Sequence, residues 1–342
     1  MFTVRQVTSA VLATCVTLCA RPADLQDKPP HRKPATPRLI PLPRVSPSPK
    51  GNKPTAAKIA LGKQLFFDPR LSGNNKMSCA TCHLPQKAFA DGKSRSTGSQ
   101  GDRLTRNTPT TLNVGFWGSL FWDGRASSLE QQALAPIQSP REMNQDLGLL
   151  ERELTAVPGY VKAFHEVFGT GISRQQIARA LAAFQRSLVS GPSPLDRYLK
   201  GDKSALSESA VRGLELFRGT AGCIRCHHGP LLSDGKFYRL GISRRDRGRQ
   251  AVTKKPSDAY RFRTPALRDV ARTGPYMHDG SLGSLEDVVT FYYRGVPTTA
   301  PPGLRWDVEP LLDSSFSEIP DLVEFLKSLN STLPVISPPR LP

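Results

Sequence analysis

The chain has 342 residues, and its hydrophobic content of 38% is sufficient for about two folded domains. Its one long apolar run, 7–20, is shorter than the roughly 20 residues that a membrane-spanning helix needs. The formal net charge of +18 would attract an acidic partner protein, whereas no recognition motif supports nucleic-acid binding.

The N-terminal residues predict two segments that lie outside the folded domains. Residues 1–26 carry a single arginine ahead of the apolar run and small residues after it, as is typical of a secretory signal peptide. Cys15 and Cys19 leave lipid anchoring open as an alternative. Residues 27–53 are rich in proline and lack periodic apolar residues, so we expect an extended linker or a disordered arm.

From residue 54 onward the chain reads as helices joined by long loops, and alternating strand patterns are scarce. The segments 62–66 and 213–217 have similar sequences, and each precedes a loop and then a CxxCH motif. This repetition predicts two copies of one helix–loop–motif unit in an all-α protein. Apolar residues at helical spacing predict helices at 57–66, 129–135, 146–156, 160–168, 173–187, 211–217, 285–293 and 319–329.

The cysteines carry the sharpest chemical signal. Of the six, two lie in the predicted signal peptide, and the other four form the two CxxCH motifs. In such a motif two thiols bond to the vinyl groups of haem c, and the adjacent histidine binds its iron. A zinc site built from two CxxC pairs is the alternative, but it leaves both histidines unexplained. The predicted haem-binding residues are Cys79, Cys82 and His83 in the first motif, and Cys223, Cys226 and His227 in the second.

Two covalent haem c groups predict two cytochrome c-like domains, 54–205 and 206–335, packed about an interdomain interface. Bacteria attach haem c outside the cytoplasm, so the motifs also predict a periplasmic protein. After the first motif, Met143 and His165 are the nearby residues of the types that commonly bind haem iron as a sixth ligand. If neither binds, the first iron has an open site.

The sequence resembles the bacterial di-haem cytochrome c peroxidases, including their MauG-like branch, over about residues 54–330. The resemblance lies in LGKQLFFDPRLSGNNKMSCATCH (61–83), RNTPTTLN (106–113), FWDGRASSLEQQALAPI (121–137), SPREM (139–143) and FRTPALRDVARTGPYMHDGSLGSLEDVVTFYYRG (262–295).

This resemblance implies a role for individual residues. His83 corresponds to the iron ligand of the haem that reacts with hydrogen peroxide, and His227 to the ligand of the second haem. Glu142 falls on the acid–base position and Gln132 on a polar position beside the peroxide. Trp122 falls on the aromatic residue between the two haems.

The resemblance also implies a calcium ion and an electron donor. Asn107, with the carbonyl oxygens of Thr273 and Pro275, falls on the family's calcium site between the domains. The donor would be a small c-type cytochrome or a cupredoxin. A homodimer is compatible with the sequence, which does not determine the oligomeric state.

The sequence departs from the typical peroxidases at two iron positions. Ser99 stands where those proteins have a distal histidine after Ser-Thr-Gly, which implies a first haem that is open without reductive activation. Tyr292 stands where they have an axial methionine, as in the MauG-like branch, and a tyrosinate lowers the iron's potential. Tyr293 and Met277 remain alternatives to Tyr292, and His278 is expected at the interface.

Three functions are therefore open. The first is a peroxidase that reduces hydrogen peroxide with electrons from a small redox protein. The second is a MauG-like enzyme that uses peroxide to oxidise a protein or an organic substrate. Against a literal tryptophan-maturing role, Ala221 and Gly222 stand where a tryptophan is expected ahead of the second motif. The third is a non-enzymatic electron carrier with two six-coordinate haems.

Overall fold

The structure is a computed structural model, and it describes residues 1–3, 37–295, 302–308 and 315–342. Most of the predicted signal peptide lies outside these residues. Residues from Pro37 to Pro342 form one compact unit. None of the helices in the described ranges has the length and apolar character of a membrane span.

The described residues are mostly helical, which confirms the all-α prediction. The predicted helices are present with ends that differ by a few residues, and the sequence did not predict three short helices, Cys79–Cys82, Pro194–Leu199 and Gln250–Thr253. Two short strands, β1 (Phe237–Tyr238) and β2 (Phe262–Arg263), pair antiparallel. The described helices are α1 Ala56–Phe67, α2 Cys79–Cys82, α3 Leu129–Gln138, α4 Leu147–Thr155, α5 Pro158–Phe168, α6 Arg174–Ser187, α7 Pro194–Leu199, α8 Glu208–Arg218, α9 Gln250–Thr253, α10 Leu285–Arg294 and α11 Ile319–Lys327.

The repeated sequence unit is also a repeated packing unit. Helix α1 packs on α6 and helix α8 on α11, and each contact is made through a glycine. A Cβ atom added at Gly62 would overlap the backbone carbonyl of Ala180, and one at Gly213 would overlap that of Asp321. The two glycines therefore allow the helices to approach closely, as they must where backbones touch.

Each helix pair is the centre of one hydrophobic cluster. In the first cluster the rings of Phe66 and Phe184 pack edge to face, with centroids 5.1 Å apart. In the second, Phe217 and Phe325 occupy the equivalent positions at 4.9 Å. The second cluster also includes Leu195, which precedes the predicted domain boundary at 205/206.

The described part of the predicted linker, 37–53, contacts the folded protein at several points. Leu39 is buried in the second cluster, and the backbone N–H of Gly229 donates to the carbonyl of Arg38 at 2.7 Å. Further along, the Asn52 side chain donates to Glu130 at 2.8 Å. The prolines keep this segment extended, as expected, but side-chain burial and long-range hydrogen bonds attach it to the protein.

The C-terminal residues return to the first cluster. The Gly191 N–H donates to the carbonyl of Thr332 at 2.8 Å, and Leu333 and Ile336 pack against the first cluster. The Arg70 guanidinium donates to the carbonyl of Pro342 at 3.1 Å. The chain from 331 to 342 thus contacts the half of the protein that contains the first CxxCH motif.

Candidate active site

The first CxxCH motif forms helix α2, which Ser78 and Thr81 cap at its N-terminus. The Nδ1 atom of His83 hydrogen bonds to the carbonyl oxygen of Phe89 at 3.0 Å. Because Nδ1 must then carry the proton, Nε2 presents a lone pair for a metal. Burial lowers the pKa of His83, which keeps the ring neutral. This is the form that binds iron.

The second motif is held in the same way. It begins with a short 3-10 turn, Cys223–Arg225, and the Nδ1 atom of His227 hydrogen bonds to the carbonyl of Leu232 at 2.9 Å. Phe89 and Leu232 are both buried and both have positive φ angles, 57° and 54°, which are rare for such side chains. The sequence reasoning missed these two residues because they act through backbone carbonyls.

Each motif lines its own cavity, of about 750 Å³ at the first motif and about 280 Å³ at the second. Burial raises the pKa values of Cys79 and Cys223 to about 12, so neither is a thiolate at pH 7. Within the described ranges, no three His, Cys, Asp or Glu side chains converge on a metal position. The two cysteine pairs line different cavities and so do not converge on one zinc position, and each cavity has the two thiols and neutral histidine that haem c requires.

Two polar residues line the first cavity together with His83. Gln132 lies on α3, and its side-chain oxygen is buried without a hydrogen-bond partner among the described residues. Glu142 follows in the loop after α3, where burial raises its pKa and the positive charge of Arg125 partly opposes this shift. The cavity thus contains an unpartnered acceptor and a carboxyl group whose pKa is moved towards neutrality.

The Ser99 loop is bound to the Glu142 loop. The Ser99 N–H donates to the carbonyl of Glu142 at 2.7 Å, and the Asn74 side chain donates to the carbonyl of Ser99 at 2.8 Å. Gly98 lines the first cavity, but Ser99 is not one of its lining residues. Of the two nearby candidate ligands, His165 is exposed on α5, whereas Met143 is buried and lines the cavity.

Trp122 lines both cavities, and its indole N–H donates to the carbonyl of Asn107 at 2.9 Å. The sequence reasoning missed Trp117, which also lines both. The Arg263 guanidinium lies 3.6 Å from the centroid of the Trp117 ring, and burial lowers the pKa of Arg263 to about 10. The boundary between the cavities therefore has two indole rings and a half-buried cation.

The far side of the second cavity includes the two tyrosines that the sequence left as alternatives. Both lie on α10 and line the cavity. The Tyr293 hydroxyl donates to the carboxylate of Glu318 at 2.9 Å, whereas burial near Cys223 raises the pKa of Tyr292. Met277 lines the same cavity from a loop. The geometry therefore brings both Tyr292 and Met277 to the cavity that contains the second motif.

The predicted calcium ligands Asn107, Thr273 and Pro275 all line the second cavity. The side-chain amide nitrogen of Asn107 donates to the carbonyl of Lys93 at 2.9 Å. The side-chain oxygen of Asn107 does not take part in this hydrogen bond. The Asn107 backbone N–H donates to the carbonyl of His278 at 2.8 Å. Oxygen atoms of this kind are the ligands that calcium prefers.

Comparison with known proteins agrees with this arrangement. The sequence profile of the family described as di-haem cytochrome c peroxidase matches residues 56–204. The chain is 45% identical to the methylamine utilization protein MauG of Methylorubrum extorquens, over 88% of this chain and 86% of that protein. It is 40% identical to cytochrome-c peroxidase IdrP1 of Denitromonas iodatirespirans, over 97% and 95% of the two chains.

A solved structure extends the comparison to the fold. The crystal structure of a MauG-like protein associated with microbial copper homeostasis superposes with a TM-score of 0.75 at 32% identity, over 90% of this chain and 96% of that one. Both the sequence and the three-dimensional arrangement are thus shared over most of the chain. The chain belongs to the di-haem cytochrome c peroxidase family.

Proposed function

We propose that this member of the family reduces hydrogen peroxide to water in the first cavity, with electrons supplied through the second. The observation that carries the proposal is that Glu142, with its raised pKa, and Gln132, with its unpartnered oxygen, line the same cavity as His83. When bound in the two cavities, haem c supplies an iron that takes up peroxide and a second iron that passes electrons to it.

Glu142 moves the proton. As a carboxylate it accepts the proton of the peroxide oxygen nearer His83 and delivers it to the outer oxygen, which leaves as water. The Gln132 side-chain oxygen accepts a hydrogen bond from the peroxide and orients it. Ser99 supports an open position at the first site, because it supplies no ligand in place of the distal histidine.

Trp122 connects the two sites in this proposal, because it lines both cavities. The donor is a small c-type cytochrome or a cupredoxin, and the net charge of +18 favours an acidic one. The domains are 54–205 for the peroxide-reactive haem and 206–335 for the electron-transfer haem, with export to the periplasm. Homodimer formation belongs to the same proposal and is tested by measuring the mass in solution.

Tyr292 is the proposed second ligand of the electron-transfer haem. Its neighbour Tyr293 supplies a matched control, because its hydroxyl is already bound to Glu318. We expect Tyr292→Phe to change the resting ferric spectrum of the second haem and Tyr293→Phe to leave it unchanged. A changed spectrum in Met277→Leu, with no change in Tyr292→Phe, would identify the methionine as the ligand instead.

A calcium ion bound by Asn107 and the carbonyls of Thr273 and Pro275 would hold the two haem-containing halves together. Removing it with a chelator is expected to lower the melting temperature and slow the electron transfer between the haems. Adding calcium back should restore both. If chelation leaves both properties unchanged, the calcium proposal is wrong.

A MauG-like oxidation of a protein or organic substrate is the second candidate. Ser99 and Tyr292 favour it chemically, as does the 45% identity to a protein named MauG. With peroxide present, oxidation of a reduced c-type cytochrome supports the peroxidase, and oxidation of a candidate protein substrate supports the alternative. A resting ferric spectrum with no high-spin signal, together with no peroxide reaction, would instead indicate an electron carrier.

A further inference from the structure

A tyrosine–carboxylate pair lies at the second cavity, outside the residues discussed above. Tyr238 is in β1 and lines this cavity. Its hydroxyl donates to the carboxylate of Asp234 at 2.7 Å, and it also contacts the side chain of Cys226. The phenol therefore has a proton acceptor on one side and a haem-attachment residue on the other.

The backbone holds this pair in place. The Asp234 N–H donates to the carbonyl of Cys226 at 2.8 Å, and the other carboxylate oxygen of Asp234 accepts the N–H of Lys236 at 3.0 Å. Tyr238 pairs with Phe262 across the two-stranded sheet. Because both members are fixed to the polypeptide that carries the second motif, their geometry is preorganised.

Four other tyrosines line the cavity. Tyr292 is the proposed iron ligand, and the Tyr260 hydroxyl accepts a hydrogen bond from the Arg247 guanidinium at 2.9 Å. The Tyr276 hydroxyl donates to the backbone carbonyl of Val270 at 3.1 Å, and a peptide oxygen is a poor proton acceptor. Tyr293 does have a carboxylate partner, Glu318, but its side chain is only 2% exposed. Tyr238 combines a carboxylate partner with partial exposure.

We propose that Tyr238, with Asp234 as its proton acceptor, is a surface oxidation site for reductants too large to enter the first cavity. The inference rests on the peroxide reaction proposed above, which supplies the oxidant. The proposed substrate is a phenolic group on a peptide or protein.

The step balances in atoms and charge. Tyr238 would give one electron to the peroxide-oxidised haem and its phenolic proton to Asp234, which leaves a neutral tyrosyl radical. An external phenol then gives one electron to Tyr238 and one proton to solvent, and Asp234 returns its proton to Tyr238. Two such cycles supply the two electrons that reduce one hydrogen peroxide, with two protons, to two water molecules.

The test uses the holoenzyme treated with one equivalent of peroxide, without a reductant, and frozen for electron paramagnetic resonance. The protein is also produced in cells supplied with ring-deuterated tyrosine. If its electron paramagnetic resonance signal is narrower than that of the unlabelled protein, the radical is on a tyrosine. We expect the signal in the natural protein and in Tyr276→Phe, and its loss in Tyr238→Phe. Haem content, measured in parallel, verifies that each variant is folded and loaded.

A second measurement follows dityrosine formation on tyramine coupled to dextran, a phenol too large for the first cavity. Removing the base in Asp234→Asn is expected to slow this reaction by about a hundredfold, the size typical of a lost proton acceptor. Tyr238→Phe should lose it, and Tyr276→Phe should keep it.

The outcomes separate the two proposals. A radical that persists in Tyr238→Phe, or that disappears in Tyr293→Phe instead, would overturn the inference while peroxide turnover with a reduced cytochrome continues. An unchanged dityrosine rate in Asp234→Asn would also overturn it. If the natural protein neither consumes peroxide nor forms a radical, the proposed function has failed and the inference fails with it.

Discussion

Replacing Glu142 by glutamine removes a proton acceptor from the first cavity and keeps the size of the side chain. Of the three other carboxylates that line the cavity, Asp123 and Asp246 are each held by Arg106 at 2.6 Å and are poor substitutes, and Asp279 accepts the Ser281 N–H at 3.2 Å. A positioned acid–base group contributes about 10²–10⁴-fold to a rate. Because Gln132 and His83 stay in place, we expect a loss of about 10²–10³-fold, or about 3–4 kcal/mol in the activation free energy.

The assay is stopped-flow mixing of the ferric holoenzyme with peroxide, repeated across a range of pH. In the natural protein the rate should fall as the pH drops through the raised pKa of Glu142, because the protonated carboxyl accepts no proton. In Glu142→Gln this fall in rate at low pH, the acid limb of the pH profile, should be absent. The low rate of the variant should not change over the same pH range. Glu142→Asp keeps the carboxyl but withdraws it by one methylene, so it should retain the acid limb at a reduced rate.

Two results would refute this reasoning. One is a Glu142→Gln enzyme that cleaves peroxide at the natural rate, with both haems present. The other is a slow variant that still shows the acid limb, because a different group would then be titrating. Equal melting temperatures for the natural protein and the variant would show that a slow rate is not caused by unfolding.

Three further predictions concern other parts of the molecule. Arg125→Leu should move the acid limb to higher pH, because loss of the positive charge raises the pKa of Glu142 further; the Arg125 side chain is 39% exposed, so 1 M salt should reduce the difference between the two proteins. Trp122→Phe should slow electron transfer between the haems in stopped-flow spectra and leave the initial reaction with peroxide unchanged; an unchanged transfer rate would remove this ring from the path. Gly62→Ala should lower the free energy of unfolding by about 3 kcal/mol through overpacking at a backbone contact, whereas Gly118→Ala, which meets no atom within 4 Å, should have little effect in the same denaturant titration.

Residues that act through local spacing were predictable from the sequence. Each CxxCH motif identifies its haem-attachment residues within five consecutive positions. The spacing of apolar residues predicted the major helices. The similarity of 62–66 and 213–217 predicted two equivalent units, and both glycines prove to be helix contacts. For 27–53 the composition predicted an extended segment, but it could not predict the long-range contacts that Leu39 and Asn52 make in the described part.

Other features depend on residues that are far apart in the chain. The Arg263 guanidinium meets the Trp117 ring, although 145 intervening residues separate them. The carbonyl groups of Phe89 and Leu232 orient the two histidines. Every residue type has a backbone carbonyl, so the sequence does not indicate which residues make these contacts. Tyr238 and Asp234 are close in sequence, but only the folded chain places their hydrogen bond beside the second cavity.

The sequence by itself therefore determined the chemistry that is local: two haem-attachment motifs, an all-α chain and a repeated unit. Its resemblance to the family named Glu142, Gln132 and Trp122 as the site residues. Only the tertiary structure decided which cavity each of them lines and which polar atoms remain unpaired there. The physical reason is that bonding within a motif depends on neighbouring residues, whereas burial, pKa shifts and ring contacts depend on packing between distant segments.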